Sequence, residues 1–191
     1  MYSSAHDNTE TINNNVKKQS DIRDIFELIL KTVIILLILL TFVFRFCNVI
    51  GDSMCNTLED GQHLIVSNVF YKPKENDIIV FHQTGYVNEP IVKRVIATGN
   101  KWVKIDYDAC LLYVSDDEIF DSNDIVDESS YVYFDTGSYH SQGTYTVYVP
   151  KGYLFVMGDN RNNSLDSRSS LIGLVDEKTV IGKVIFAFPT L

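Results

Sequence analysis

Along most of this chain apolar residues come in short runs broken by polar turns, and only one stretch stays apolar for longer. The short runs are HLIVSNVF, DIIVF, IVKRVIAT, KWVKI, YTVYV, GYLFVMG and TVIGKVIFAF; the breaks include KPKEND, TGN, PKG and GDNRNNS. β-branched and aromatic residues dominate the runs while Gly, Pro, Asn and Asp collect in the breaks, as expected for strands joined by turns. A long helical pattern is confined to residues 28–46, LILKTVIILLILLTFVFRF. The prediction is a mainly β domain, a closed or sandwiched set of antiparallel strands, behind one N-terminal helix.

The uninterrupted apolar run, Thr32 to Phe44, would make about 20 Å of helix, short of a bilayer core. Lys31 and Arg45 bracket it, and their aliphatic stems can snorkel toward the two headgroup layers. A cleaved signal peptide also has a short apolar core, but no small-x-small site follows here. The expectation is a retained transmembrane anchor over 28–46, a cytoplasmic tail over 1–27 and an extracytoplasmic domain over 47–191. Lys17, Lys18, Arg23 and Lys31 on one side, against Arg45 on the other, put the N-terminus in the cytoplasm. The first twenty residues, rich in Asn, Ser and Thr, read as a disordered tail.

The net charge of −9 over 191 residues is unevenly spread. Ten acidic residues and no Lys or Arg lie between Ile105 and Pro150. That balance argues against a nucleic-acid partner. Residues 106–142 read as an acidic excursion between strands, with weak strands around LLYV and SYVYF. Cys47, Cys55 and Cys110 form no CxxC pair and have no His cluster with them, so neither a metal nor another cofactor is implied.

Three stretches could carry chemistry. GDSMCNTLEDGQ, residues 51–62, presents Ser53 a few residues beyond the apolar segment. PIVKRVIAT sets Lys93 and Arg94 on opposite faces of an apolar strand, one at the edge of the core and the other facing a carboxylate. GYLFVMGDNRNNSLDSR, residues 152–168, runs from a strand into a turn holding Asp159, Arg161, Asp166 and Arg168, with Ser164 and Ser167 between them. None of the four histidines stands out.

The order GDSM, KRVIATGN and VPKGYLFVMGDNRNNSLDSR behind one N-terminal span resembles the bacterial type I signal peptidases, in their single-anchor Gram-positive form. The resemblance covers the chain from the anchor to the C-terminus except the acidic excursion. It implies a signal-peptidase/LexA-like β catalytic domain that cleaves exported preproteins after small-x-small sites, at the outer face of a bacterial cell membrane. By that resemblance Ser53 is the nucleophile and Lys93 the general base. An exposed lysine is almost wholly protonated at neutral pH, but burial among apolar neighbours disfavours the ammonium and frees the amine. Ser164 would orient that amine, Asp166 and Arg168 would form a supporting ion pair, and Asp159 would meet Arg94. Val49, Met54, Leu58 and Val92 would line a shallow apolar pocket, beside which an extended substrate could add as a strand. The partners implied are preproteins and membrane lipid, and a monomer is expected.

Two positions depart from the family pattern. Asn56 stands where proline is usual, which leaves the loop looser, and Asn76 stands where glycine is usual. Two alternatives stay open: a weakened or silent paralogue that grips signal peptides without cutting them, and a related processing peptidase of the same superfamily.

Overall fold

The computed structural model describes residues 3–83 and 89–189, with side chains from residue 21 onward except Phe42. The chain divides into a helical unit, Met1–Val43, and a β unit, Phe44–Leu191.

The helical unit is α1 (Ser3–Val43). Its large apolar side chains from Ile22 to Leu40 are exposed. Glu27 and Lys31 pair one turn apart at 2.7 Å. Among the described residues no helix is long and apolar enough to cross a membrane. The expected disordered tail is helical from Ser3: once a helix exists, each further residue adds a hydrogen bond at little cost. The expected boundary at residue 46 also moves. Phe44, Arg45 and Phe46 are not helical but open the first strand, because Phe44–Asn48 pairs antiparallel with His63–Ser67.

Among the described residues the β unit has ten strands. They are β1 (Phe44–Asn48), β2 (His63–Ser67), β3 (Ile78–Phe81), β4 (Ile91–Ala97), β5 (Lys101–Asp106), β6 (Leu111–Ser115), β7 (Thr144–Val149), β8 (Tyr153–Met157), β9 (Val175–Asp176) and β10 (Val180–Phe188). Seven form one antiparallel sheet in the order β1-β2-β10-β3-β4-β8-β9, and three form a second in the order β6-β5-β7. The mainly β prediction therefore holds, and every predicted run from HLIVSNVF onward supplies a strand. The excursion differs in detail. LLYV is β6, hairpinned onto β5, whereas SYVYF is no strand and makes one isolated bridge, Tyr133 to Asn160.

Three apolar clusters form the interior. One lies between the small sheet and the far ends of β4 and β8, around Val103, Ile105, Leu112, Phe155 and Met157. A second gathers Ile79, Phe81, Val95, Leu154 and Val156. The third joins Val49, Met54 and Leu58 to Leu64, Val66 and Val80. This third cluster matters most for chemistry, because it ties the β1–β2 loop to the sheet.

Candidate active site

Ser53 stands on the loop between β1 and β2. The loop is sealed at its base by Val49 N–H to the Gln62 carbonyl at 2.8 Å and Gly61 N–H to the Val49 carbonyl at 3.0 Å. Met54 and Leu58, both buried, pin its middle into the core. The Leu58 and Thr57 N–H groups both donate to the Met54 carbonyl, at 2.8 and 3.0 Å. Asn56 closes this turn with φ +84°. Proline, locked near −65°, cannot occupy that backbone, so here the asparagine is the residue the turn requires. Asn76, at φ +69°, follows the same logic: glycine or asparagine fits, and its carbonyl accepts from Arg94 at 2.9 Å.

Lys93 enters from the centre of the large sheet. On β4 it pairs with Ile79 of β3, and only 4% of it is exposed. Its Nζ lies 2.5 Å from Ser53 Oγ. Burial lowers the ammonium pKa from 10.5 to about 8, against the opposing pull of the Asp166 and Asp159 carboxylates. About a tenth of Lys93 is then a neutral amine at pH 7, against well under a thousandth for an exposed lysine, and it is in contact with a hydroxyl.

Arg94, the next residue, points to the opposite face. Its Nε and Nη2 bind the two oxygens of Asp159 at 2.8 and 2.7 Å, and Thr57 Oγ1 donates to the same carboxylate. Asp159 is fully buried, so this fork satisfies a charge that would otherwise be costly. The partner the sequence assigned to Arg94 is therefore the one it meets.

The second loop, residues 158–168, follows β8. Asp166 takes Arg168 Nε and Nη2, each at 2.8 Å, and the Gly158 N–H at 3.0 Å. Burial pushes the Asp166 carboxyl up, but the Arg168 hydrogen bonds and charge outweigh it, so its pKa is lowered. Asn160 then ties this loop to Ser53: its N–H donates to the Ser53 carbonyl and its Nδ2 to the Asp52 carbonyl, both at 3.1 Å. Ser164 sits beside Gly158, but its buried Oγ makes no hydrogen bond among the described residues. The expected contact from that hydroxyl to the lysine amine is not formed in this arrangement, in which the Lys93 Nζ meets Ser53 Oγ.

A cleft of about 250 Å³ opens beside Ser53 and Lys93, lined by Val49, Ile50, Met54, Pro90, Ile91, Val92, Leu165 and Ile172, with Asn48 and Glu89 at its polar margin. Val49, Met54 and Val92 thus fall where the sequence expects a pocket. Leu58 does not. It turns the other way, into the core under the loop, where Leu64 and Val66 cover it. Among the described residues no group of His, Cys, Asp and Glu is arranged to hold a metal ion.

Sequence reasoning gave no role to Gly158, Asn160, Thr57, Glu128, Tyr131 and Arg161. The first two had a signal, since they stand in the GDN run. For Gly158 the reason is space: a Cβ there would lie 2.2 Å from Ser164 Oγ and 2.4 Å from the Ser53 carbonyl oxygen. Glu128 and Tyr131 had no signal, because their partners are thirty or so residues away or more.

A family model described as "Signal peptidase, peptidase S26" matches residues 22–189. Signal peptidase IB of Staphylococcus aureus is 33% identical over 167 residues, covering 81% of this chain and 83% of its own length. The probable signal peptidase I-1 of Synechocystis is 32% identical over 177 residues, with 87% and 82% covered. Thylakoidal processing peptidase 1 of Arabidopsis thaliana is 33% identical over 151 residues; this match takes 72% of the chain but 40% of the plant protein. A crystal structure of a signal peptidase I from Enterococcus faecalis aligns at TM-score 0.40 and 25% identity, over 59% of this chain and 97% of that one. The chain belongs to the signal peptidase family, peptidase S26, and is a serine peptidase of the signal peptidase I class.

Proposed function

We propose that this chain is a membrane-bound endopeptidase that removes N-terminal signal peptides from exported preproteins after small-x-small sites, with Ser53 as nucleophile and neutral Lys93 as general base. The observation that carries the reading is the 2.5 Å approach of a buried lysine, its pKa lowered to about 8, to a serine hydroxyl at the edge of an apolar cleft.

In the acylation step Ser53 Oγ attacks the scissile carbonyl carbon while its proton passes to Lys93 Nζ. The backbone N–H of Ser53 stabilises the oxyanion; Gly51 brings no side chain to help. The C–N bond then breaks as Lys93 returns the proton to the leaving amine, leaving the signal peptide as an ester on Ser53. Water attacks that ester, Lys93 takes its proton, and Ser53 Oγ departs and is reprotonated. Asp159 with Arg94, and Asp166 with Arg168, hold the two loops in register without exchanging protons. The preference for small side chains rests on the apolar lining of the cleft beside Ser53, which includes Met54, Val92 and Leu165.

The membrane part of the reading rests on the apolar run that starts at Thr32, bracketed by Lys31 and Arg45, whose helical part ends at Val43. The exposed apolar side chains of α1 support it, since lipid would cover surface that water disfavours. A cytoplasmic N-terminus and an extracytoplasmic catalytic unit follow from the excess of Lys and Arg on the N-terminal side of that run, and the bacterial cell membrane from the likeness to bacterial signal peptidases.

Detergent-solubilised protein should cleave a preprotein with an Ala-x-Ala site, and Ser53→Ala and Lys93→Ala should abolish cleavage. Binding without cleavage by the wild type would instead support the silent paralogue. Resistance of the protein in bacterial membranes to alkaline extraction tests the anchor: release into the supernatant would sink it.

A further inference from the structure

Arg161 is the largest fully buried side chain of the β unit. A guanidinium cannot be left in such a place without a counter-ion, and its counter-ion comes from the acidic segment that the family motifs leave out. Glu128 takes Arg161 Nη1 at 2.7 Å on one carboxylate oxygen and Nη2 on the other. Tyr139 Oη accepts a further Nη1 hydrogen bond at 2.9 Å.

We infer that Glu128 is a positioning residue for the peptidase reaction, holding the 158–168 loop against Ser53 through Arg161. The inference rests on the Ser53–Lys93 reading above. Arg161 reaches both ends of that loop: its Nε donates to the Gly158 carbonyl at 3.1 Å, and its own carbonyl accepts Arg168 Nη2 at 2.7 Å. Gly158 is followed by Asp159, which holds Arg94, and by Asn160, which holds the Ser53 carbonyl. A displacement of Arg161 therefore passes to Ser53 through two residues of backbone.

Glu128 is itself well held. Its carbonyl accepts the Tyr131 and Val132 N–H groups at 3.1 and 3.0 Å, closing a turn. That turn lays the Tyr131 ring 4.0 Å from the Arg94 guanidinium carbon and lets Tyr133 exchange backbone hydrogen bonds with Asp159 and Arg161, at 2.8 and 3.0 Å. The acidic segment is thus built into the back of the site rather than merely solvated. A simple stabilising ion pair would explain the Glu128–Arg161 contact alone; it would not require the Arg161 Nε to donate to the Gly158 carbonyl as well, two residues before Asn160.

The test compares full-length wild type, Glu128→Gln, Glu128→Asp and Asp127→Asn in detergent, by preprotein cleavage kinetics, thermal unfolding and backbone hydrogen exchange. Glu128→Gln should lower kcat about ten-fold with KM within about two-fold, since a shift well under 1 Å is enough for that loss. Glu128→Asp should recover most of the loss, and exposed Asp127→Asn should behave as wild type. Exchange at Gly158, Asn160 and Arg161 should quicken in Glu128→Gln while β5 and β6 stay protected. A folded Glu128→Gln with wild-type kcat overturns the inference. So does a loss of kcat matched by a lower Tm and faster exchange throughout the β unit, the mark of a purely stabilising role. If Glu128→Gln does not fold, Glu128→Asp decides by the same split between kcat and Tm. If the wild type cleaves nothing, the Ser53–Lys93 reading fails, and local against uniform exchange decides whether Glu128 positions the loop.

Discussion

The N–H of Asn160 donates to the carbonyl of Ser53 at 3.1 Å while its side-chain amide takes the carbonyl of Asp52, so one residue clamps the backbone on both sides of the Asp52–Ser53 peptide. Its Oδ1, by contrast, is buried without a partner among the described residues. Asn160→Ala removes a hydrogen bond and an orphaned acceptor together. These offset, each being worth about 1–2 kcal/mol. We expect Tm to stay within a few degrees while kcat for preprotein cleavage falls about ten-fold or more. Calorimetry and steady-state kinetics on one preparation check this; a large drop in Tm with unchanged kcat would contradict it.

The state of Lys93 sets a pH dependence with a definite sign. Its pKa is lowered to about 8 chiefly by burial, and only the unprotonated amine can accept the Ser53 proton. Cleavage should therefore rise with pH, with its lower limb centred near 8, and flatten above it. A kcat/KM profile between pH 5 and 10 on a preprotein without titrating groups at its cleavage site measures the limb. A limb centred near 6.5 would point to a histidine instead.

Gly158→Ala places a methyl group 2.2 Å from Ser164 Oγ and 2.4 Å from the Ser53 carbonyl oxygen. The serine side chain can rotate, but the Ser53 backbone cannot move without leaving Lys93. We expect at least a hundred-fold loss of kcat, as about 1 Å of misplacement costs that much. An active, folded Gly158→Ala would show that the loops are less tightly apposed.

Asn56 carries the clearest reversal of expectation. Restoring the proline usual in the family would seem to stiffen a loose loop, yet the backbone there has φ +84°. Asn56→Pro should lower both Tm and activity, by more than the roughly 0.4–1 kcal/mol that proline contributes where its φ fits. Asn56→Gly should keep both. Unfolding and cleavage assays on the two variants give the comparison, and a more active proline variant would mean the loop has another stable conformation.

Much of the site was legible in order along the chain. Lys93 and Arg94 had to separate across a strand because successive residues face opposite sides, and the charge-dense turn after β8 announced a network. The register of the partners was less visible. That Leu58 turns into the core while Val92 lines the cleft depends on how a loop packs against three strands. Phe44–Phe46 read as the end of an apolar helix because only the pairing with β2 distinguishes them from one.

The sequence by itself determined the mainly β class, the seven runs from HLIVSNVF onward that become strands, and the three charged and polar stretches around Ser53, Lys93 and Asp159–Arg168, since all of these follow from local periodicity and from motifs a few residues long. Only the tertiary structure decided that Asn56 needs a left-handed backbone, that Asn160 clamps Ser53, and that Glu128 and Tyr131 of the acidic segment back onto Arg161 and Arg94. Those contacts join residues thirty or so to more than a hundred positions apart, and a side chain's partner at that separation is fixed by packing and charge burial, which no local pattern records.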